Sequence, residues 1–407
     1  MLTINAERLW QSIMTMAKIG ATERGGSNRQ ALTDLDKQGR VLLIDWASEI
    51  DCEYRYDQMG NLFIRYAGQL ESAPAVLIGS HLDTQPTGGK FDGVYGVLAG
   101  LEVMRTLHES DTTLQHSIEL AVWTNEEGAR FSPAMIGSGV WCGEFDLEYG
   151  WTRSDKNNMT IQQELSRLDM LGEAPCEPFP VKAAFELHIE QGPILEQEQL
   201  QIGVVKGVQG IRWYDLILHG LPIHAGPTPM QQRQDPVCAM SAICQDLYQL
   251  ADNYAPWARV TFGDIQIEPG ARNTVPERLT LAVDLRHPEN MILEEMDQQF
   301  RQLVEKHSNK QSVNYDIHDE WHSPAVNFAS DCITAISDSV NDYGYSHQEM
   351  FSGAGHDSVY VSKVAPTAMI FIPCDGGISH NEEENASYED IAAGGNVLLG
   401  AVIRMAC

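Results

Sequence analysis

Apolar positions recur at helical spacing over residues 6–20 and 33–50, and Asn61–Tyr66 has the pattern of a short strand. Ala75-Val-Leu-Ile-Gly79 is an unbroken apolar run bounded by turn residues, which predicts a buried strand delivering His81 at its C-terminal end. From Gly93 the period changes, and Val94, Val97, Leu98, Leu101 and Met104 fall on one face of a helix that begins just after Asp92. Ile118–Thr124 predicts a strand ending directly at Asn125-Glu126-Glu127, and residues 183–189 predict another that carries His188. A last strand, 368–372, leads through Gly376-Gly377 to His380 and then to a helix over 388–405. Strands alternating with helices indicate an α/β domain with a mixed sheet flanked by helices, whose sites lie beyond the strand C-termini.

Between His188 and His380 the pattern describes a separate unit. Trp213–Leu218 predicts a strand, 233–252 a helix, Arg259–Ile267 and Leu279–Arg286 strands, 290–306 a helix and 312–318 a strand. That order, β-α-β-β-α-β, is the split βαβ (ferredoxin-like) arrangement. It predicts an inserted domain over 211–325 within an α/β domain made of 1–210 and 326–407. The chain contains no internal repeat and no low-complexity tract.

Composition narrows the function classes. No apolar run approaches the roughly 18 residues that span a bilayer, and the N-terminus lacks a basic segment followed by an apolar block and a small-residue cleavage site. The eight cysteines are scattered without a Cys-x-x-Cys pair, so the expectation is reduced thiols in a cytoplasmic protein. With 57 acidic against 27 basic residues the formal charge is −30, a field that repels nucleic acid and anionic membrane. An anionic substrate would therefore need positive charge held locally at the site.

The candidate chemistry gathers at strand ends. Gly79-Ser-His-Leu-Asp-Thr-Gln-Pro-Thr-Gly-Gly-Lys-Phe-Asp-Gly93 places His81 and Asp92 on one turn-rich loop, and Glu127, His188 and His380 occupy comparable places. Any one alone reads equally as a satisfied core histidine or a solvated acid; five at such positions predict a metal centre. Nitrogen and oxygen donors without thiolate suit zinc, manganese, cobalt or nickel. Five ligands exceed one tetrahedral site, so a carboxylate bridging two divalent ions is the economical arrangement. Of the adjacent pair, Glu127 is assigned to the metal and Glu126 to general acid/base work, because neighbours leaving a strand point in different directions. Asp83 is expected to accept the second N–H of the His81 imidazole.

Six segments carry a family resemblance: Gly79–Gly93, Asn-Glu-Glu-Gly-Ala-Arg-Phe (125–131), Glu-Leu-His-Ile-Glu-Gln-Gly-Pro (186–193), His-Ala-Gly-Pro-Thr-Pro-Met (224–230), Ser-Gly-Ala-Gly-His-Asp (352–357) and Gly-Ile-Ser-His-Asn (377–381). In this order they resemble the amidohydrolase branch of the di-zinc aminoacylase and carboxypeptidase family. That branch holds N-carbamoyl-L-amino-acid hydrolases, β-ureidopropionases and allantoate amidohydrolases. The resemblance implies His81, Asp92 and His188 on one metal and Asp92, Glu127 and His380 on the other, with Asp92 bridging. It further implies His224 as the donor to a tetrahedral oxyanion, Asn273 and Arg286 as the grip on a substrate carboxylate, and Gln191, Gly355 and His356 as contacts to the carbamoyl end. The inserted domain is implied to be a lid and the means of homodimerisation.

The resemblance implies hydrolysis of the ureido C–N bond of an N-carbamoyl amino acid, of the L-α or β-alanine type. Thr84-Gln-Pro-Thr-Gly-Gly-Lys90 is most similar to the β-ureidopropionase-like members. Allantoate amidohydrolases have Gly-Gln-Arg-Arg-Tyr where this chain has Gly210-Ile-Arg-Trp-Tyr214, and Ile211 cannot make the hydrogen bonds of that glutamine. Peptidase or N-acyl amino acid hydrolase activity on the same metals is a second reading, and metal-dependent binding without turnover a third. There is no Gly-x-Ser-x-Gly elbow, no His-Glu-x-x-His and no complete phosphate loop. The acidic run Glu382–Glu384 reads as a solvated loop.

Overall fold

Fourteen strands follow one another along the chain: β1 (Glu53–Tyr56), β2 (Leu62–Tyr66), β3 (Ala75–His81), β4 (Ile118–Trp123), β5 (Val181–Ile189), β6 (Ile202–Val208), β7 (Gly210–His219), β8 (Arg259–Thr261), β9 (Ile265–Glu268), β10 (Arg278–His287), β11 (Asn314–Ser323), β12 (Val326–Asn327), β13 (His347–Ser352) and β14 (Thr367–Ile372). The computed structural model describes residues 1–407. They divide into two compact units, Met1–Gly207 with Asn327–Cys407, and Val208–Val326. No helix is long and apolar enough to cross a membrane.

The larger unit is built on one mixed sheet in the order β1-β2-β4-β3-β5-β14-β6-β12, with β13 also on β6. Its centre is parallel, since β3 pairs β4 and β5, and β5 pairs β14, all in parallel. Strands β1, β2 and β6 run antiparallel to their neighbours. Every residue of β3, β4 and β14 is buried, which is why these strands read as continuous apolar runs rather than alternating ones. The helices Val94–His108 and Tyr388–Ala406 pack on this sheet. The expected helix over 33–50 spans Asp34–Ser48, with the Thr33 hydroxyl accepting the Asp36 N–H as its cap. The helix expected over 6–20 ends at Met16.

Buried arginines fix the loops that leave the sheet. Arg29 donates to the Leu82 carbonyl at 2.8 Å and its main chain exchanges bonds with Thr84, at 2.8 Å to the hydroxyl and 3.0 Å from the Thr84 N–H. The segment just after His81 is therefore held by a charged donor inside the core. Arg40 pairs with Asp36 at 3.0 Å, both fully buried, and donates to the Gly60 carbonyl.

The smaller unit has its own sheet, ordered β11-β7-β10-β8 with β9 also on β10, antiparallel throughout. The helices Pro236–Asn253 and Asn290–Gln311 cover one face. There Tyr214, Leu216 and Leu218 of β7 and Leu279, Leu281, Val283 and Leu285 of β10 meet Ile243, Leu247, Met296 and Phe300. The strand expected over Arg259–Ile267 is two strands. Thr261 faces Asp284 and Ile265 faces Leu281, so one side of the ladder carries an extra residue, and the Asp264 carbonyl accepts the Ala282 N–H. Such a bulge breaks strand pairing without altering the apolar pattern. Trp213 and Trp321 pack against each other on the uncovered face.

Candidate metal centre and active site

His81 closes β3. Its Nδ1 lies 2.9 Å from the Asp83 main-chain oxygen, so the ring proton sits on Nδ1 and the Nε2 lone pair faces inward. The expectation that the Asp83 carboxylate takes this bond is corrected: that carboxylate is 3.9 Å away. Instead it accepts the main-chain N–H groups of Glu126 and Glu127, both at 3.3 Å, and so ties the loop after β3 to the loop after β4. The carbonyl of a turn can bend back onto the ring, whereas the side chain is drawn to two N–H groups with no other acceptor.

His188, next to last in β5, repeats the arrangement. Its Nδ1 is 2.9 Å from the Ile189 carbonyl, and its Nε2 is 3.2 Å from Asp92 Oδ1. His81 Nε2 is 3.5 Å from the same oxygen. The other Asp92 oxygen, Oδ2, is 3.5 Å from His380 Nε2, which lies 3.3 Å from Glu127 Oε2. Asp92 thus belongs to two groups, His81–Asp92–His188 and Asp92–Glu127–His380, in each of which the potential ligand atoms lie within 4.8 Å of one another. Glu126 Oε2 reaches to 3.5 Å from His81 Nε2.

The backbone is unusual where these residues sit. Asn125, Gln191 and His380 have φ near +55° (56°, 56° and 54°), a left-handed conformation that side chains other than glycine adopt at a cost and that gathers at functional sites. Gly93 has φ 65°, and a Cβ there would lie 2.4 Å from His81 Nε2. Glycine is required at the one point where the start of the helix Val94–His108 touches the imidazole.

The electrostatics reflect acids and imidazoles crowded together in a buried site. Burial pulls the His81 imidazolium down, but Glu126, Asp92 and Asp83 outweigh it and hold its pKa well above the ordinary value. Burial raises Glu127 to about 8, with Asp92 adding to it, and raises Glu126 well above the usual carboxylate range. Asp92 is held well below that range, because His188 and His81 outweigh its burial. Imidazole lone pairs and carboxylate oxygens converging at 3.2–3.5 Å repel one another unless protons or cations lie between them. The residues fit divalent metal: donor type, fixed Nδ1–H tautomers and shared carboxylate all agree with it.

A second layer of side chains, which the sequence did not reveal, orients the first. Gln85 donates its main-chain N–H to Glu127 Oε1 at 3.1 Å and its amide to Oε2 at 2.8 Å. Glu384 is buried rather than solvated, so the reading of 382–384 as a solvated loop is overturned for that residue. Its Oε1 accepts the N–H groups of Phe91 (2.9 Å) and Asp92 (3.1 Å). Ser379 Oγ bridges Glu384 Oε2 at 3.1 Å and Asp92 Oδ2 at 2.9 Å. One position in an acidic run carries no local sign that its partners are backbone groups nearly 300 residues away.

Three further expected residues lie in this unit. Gln191 donates its amide to Asp92 Oδ2 at 2.9 Å and to Ser379 at 3.2 Å, while its Oε1 is buried without a hydrogen-bond partner. His356 is buried, 3.0 Å from Ser352 Oγ through Nε2, with its ring edge-on to His188 at 4.6 Å. Burial, with the neighbouring His188, keeps it neutral. Gly355 precedes it on the exposed loop after β13.

The smaller unit carries the other three. His224 and Asn273 ride on two segments joined by the bridge His224↔Thr274 and by the Ala225 N–H donating to the Asn273 carbonyl at 2.9 Å. Arg286, on β10, is clasped by Asp284 of the same strand, at 2.7 Å through Nη2 and 3.0 Å through Nε. Its guanidinium is therefore preoriented against an internal carboxylate.

Comparison with known proteins agrees with this geometry. Residues 77–404 match Peptidase family M20/M25/M40. An N-carbamoyl-L-amino-acid amidohydrolase of Rhizobium meliloti is 43% identical, the alignment covering 99% of this chain and 97% of the relative. An allantoate amidohydrolase of Bacillus subtilis is 30% identical over 96% of this chain and 95% of its own. The crystal structure of an amidase of the hydantoinase/carbamoylase family from Burkholderia multivorans superposes with a TM-score of 0.97 at 47% identity, covering 100% of this chain and 99% of that one.

Proposed function

Since the chain belongs to Peptidase family M20/M25/M40, in its amidohydrolase branch, and is a hydrolase of C–N amide bonds, we propose that it hydrolyses the ureido C–N bond of N-carbamoyl amino acids. The products are the free amino acid, ammonia and carbon dioxide. The observation that carries this reading is Asp92 shared between two groups of nitrogen and oxygen donors, with Glu126 alongside but in neither group.

His81, Asp92 and His188 would hold one divalent ion and Asp92, Glu127 and His380 a second, zinc first, with manganese, cobalt or nickel suited to the same donors. Such ions supply Lewis-acid polarisation of a carbonyl and acidify water. Glu126 takes a proton from the attacking water and returns it to the departing nitrogen, and its burial makes it a stronger base than a free carboxylate. The Gln191 Oε1, an acceptor with no partner, is available to a ureido N–H, and Gly355 and His356 complete the carbamoyl contacts. His224 donates to the oxyanion, while Asn273 and Arg286 bind the substrate carboxylate, giving the local positive charge that an acidic protein needs for an anion. The smaller unit serves as lid and homodimer contact, and the eight free cysteines suit a cytoplasmic setting.

Allantoate is the second reading, favoured by the allantoate amidohydrolase relatives and opposed by Ile211, a buried apolar residue unable to hydrogen-bond. Ammonia release should be measured from purified, metal-loaded protein with N-carbamoyl-L-amino acids, N-carbamoyl-β-alanine, allantoate and dipeptides. Turnover of the carbamoyl compounds above the others is expected. Preference for allantoate or for dipeptides, or binding without turnover, would replace this reading.

A further inference from the structure

His224 is exposed and, beyond its single bridge to Thr274, leads into an irregular loop, Ala225-Gly-Pro-Thr-Pro229. A solvent-facing imidazole on such a loop samples many orientations, whereas a donor to an oxyanion must already be aimed. The loop is not left to itself. Arg233, half-buried four residues beyond it, donates through Nη2 to the Ala225 carbonyl at 2.5 Å and the Thr228 carbonyl at 3.0 Å, and through Nε to the same Thr228 carbonyl at 3.1 Å. Thr228 Oγ1 in turn donates to the His224 carbonyl at 3.0 Å. Inside the loop, the Gly226 N–H donates to His224 Nδ1 at 3.1 Å. A ring nitrogen that accepts a main-chain N–H carries a lone pair, so the neutral imidazole bears its proton on Nε2.

We propose that Arg233 is a positioning residue for catalysis: it folds the 224–229 loop into the turn in which the Gly226 N–H caps His224 Nδ1, so that His224 is presented as an Nε2–H donor. The planar guanidinium suits this task, since it spans two carbonyls at fixed angles, which a lysine ammonium on a flexible stem does not. The inference rests on His224 being the oxyanion donor. It goes beyond that reading by naming the group that sets the tautomer and aim of the donor.

The experiment is a double-mutant cycle on the full-length, metal-loaded protein, using Arg233→Ala, Arg233→Lys, His224→Ala and the Arg233→Ala/His224→Ala pair. Ammonia release is read from the carbamoyl substrate the enzyme turns over best, with thermal unfolding to verify folding. Arg233→Ala is expected to lower kcat by about tenfold or more with little change in KM. Arg233→Lys should recover little, and millimolar guanidinium should restore part of the loss in Arg233→Ala but none in Arg233→Lys. In the His224→Ala background, adding Arg233→Ala should cost no further kcat, since the group it positions is gone. Multiplying losses in the double variant, or full activity in Arg233→Ala, would overturn the positioning role. Unchanged kcat in His224→Ala would instead overturn the reading of His224 on which it rests. Should Arg233→Ala unfold, Arg233→Lys, made alone and combined with His224→Ala, replaces it in the cycle and decides in the same way.

Discussion

Glu126 and Glu127 are adjacent and alike in chemistry, yet one faces His81 and the other His380. The proposed division of work rests on that difference in partners, and it can be measured. Glu126→Gln should lower kcat by roughly 10²–10⁴-fold while metal analysis finds the wild-type content, whereas His380→Ala should lose metal. Equal metal loss in the two variants would contradict the division. Arg286 offers a second residue-level test. Already preoriented by Asp284, it should exchange that carboxylate for the substrate's, so Arg286→Ala should raise KM by about tenfold or more while sparing kcat, and Arg286→Lys should not restore it, because two parallel hydrogen bonds need the guanidinium fork. Unchanged KM for carboxylate substrates would return Arg286 to a purely structural ion pair.

At the scale of elements, the site depends on where strands stop and on what fastens the loops beyond them. The helix Val94–His108 begins against His81, so Gly93→Ala should force the ring aside: a loss of about 1–3 kcal/mol in urea denaturation together with weakened metal binding in titration calorimetry. A variant that keeps both would mean that the loop relaxes freely. Glu384→Ala leaves the Phe91 and Asp92 N–H groups without their acceptor and should cost roughly 1–3 kcal/mol in the same assay. Elements differ in how legible they were. Strands β3, β4, β5 and β14 could be read from their apolar runs, and His81 and His188 follow from those strand ends. The short helices Ile136–Trp141 and Leu147–Thr152 could not, since six residues interrupted by glycine show no period. Nor could the break between β8 and β9, which an extra residue creates without disturbing the apolar pattern. The anchoring of Asp92 by Glu384 and of Glu127 by Gln85 was hidden for another reason: the partners are main-chain groups and amides that no residue type marks as special.

For the molecule as a whole, the charge of −30 opposes the arrival of an anion. Raising ionic strength from about 0.01 M to 0.15 M shortens the screening length from about 30 Å to about 8 Å. For N-carbamoyl amino acids kcat/KM should therefore rise with salt, while a neutral carbamoyl amide should show no such trend; a fall with salt would mean that Arg286 and its surroundings dominate the field. Chelation followed by dialysis should abolish turnover and lower the unfolding temperature, and zinc or manganese should restore both, since ions bound only by the folded state add to its stability. The strand order has one more consequence. β14 lies between β5 and β6, although it follows them in the chain by more than 150 residues, and His380 comes later still. During synthesis, His81, Asp92 and His188 have all left the ribosome long before the slot in the sheet can be filled. The contiguous stretch Val208–Val326 has every strand of its own sheet in hand at that stage. The interrupted unit must wait for its C-terminal segment, so its assembly is a late event in the life of the nascent chain, and the Asp92–Glu127–His380 group can close only then.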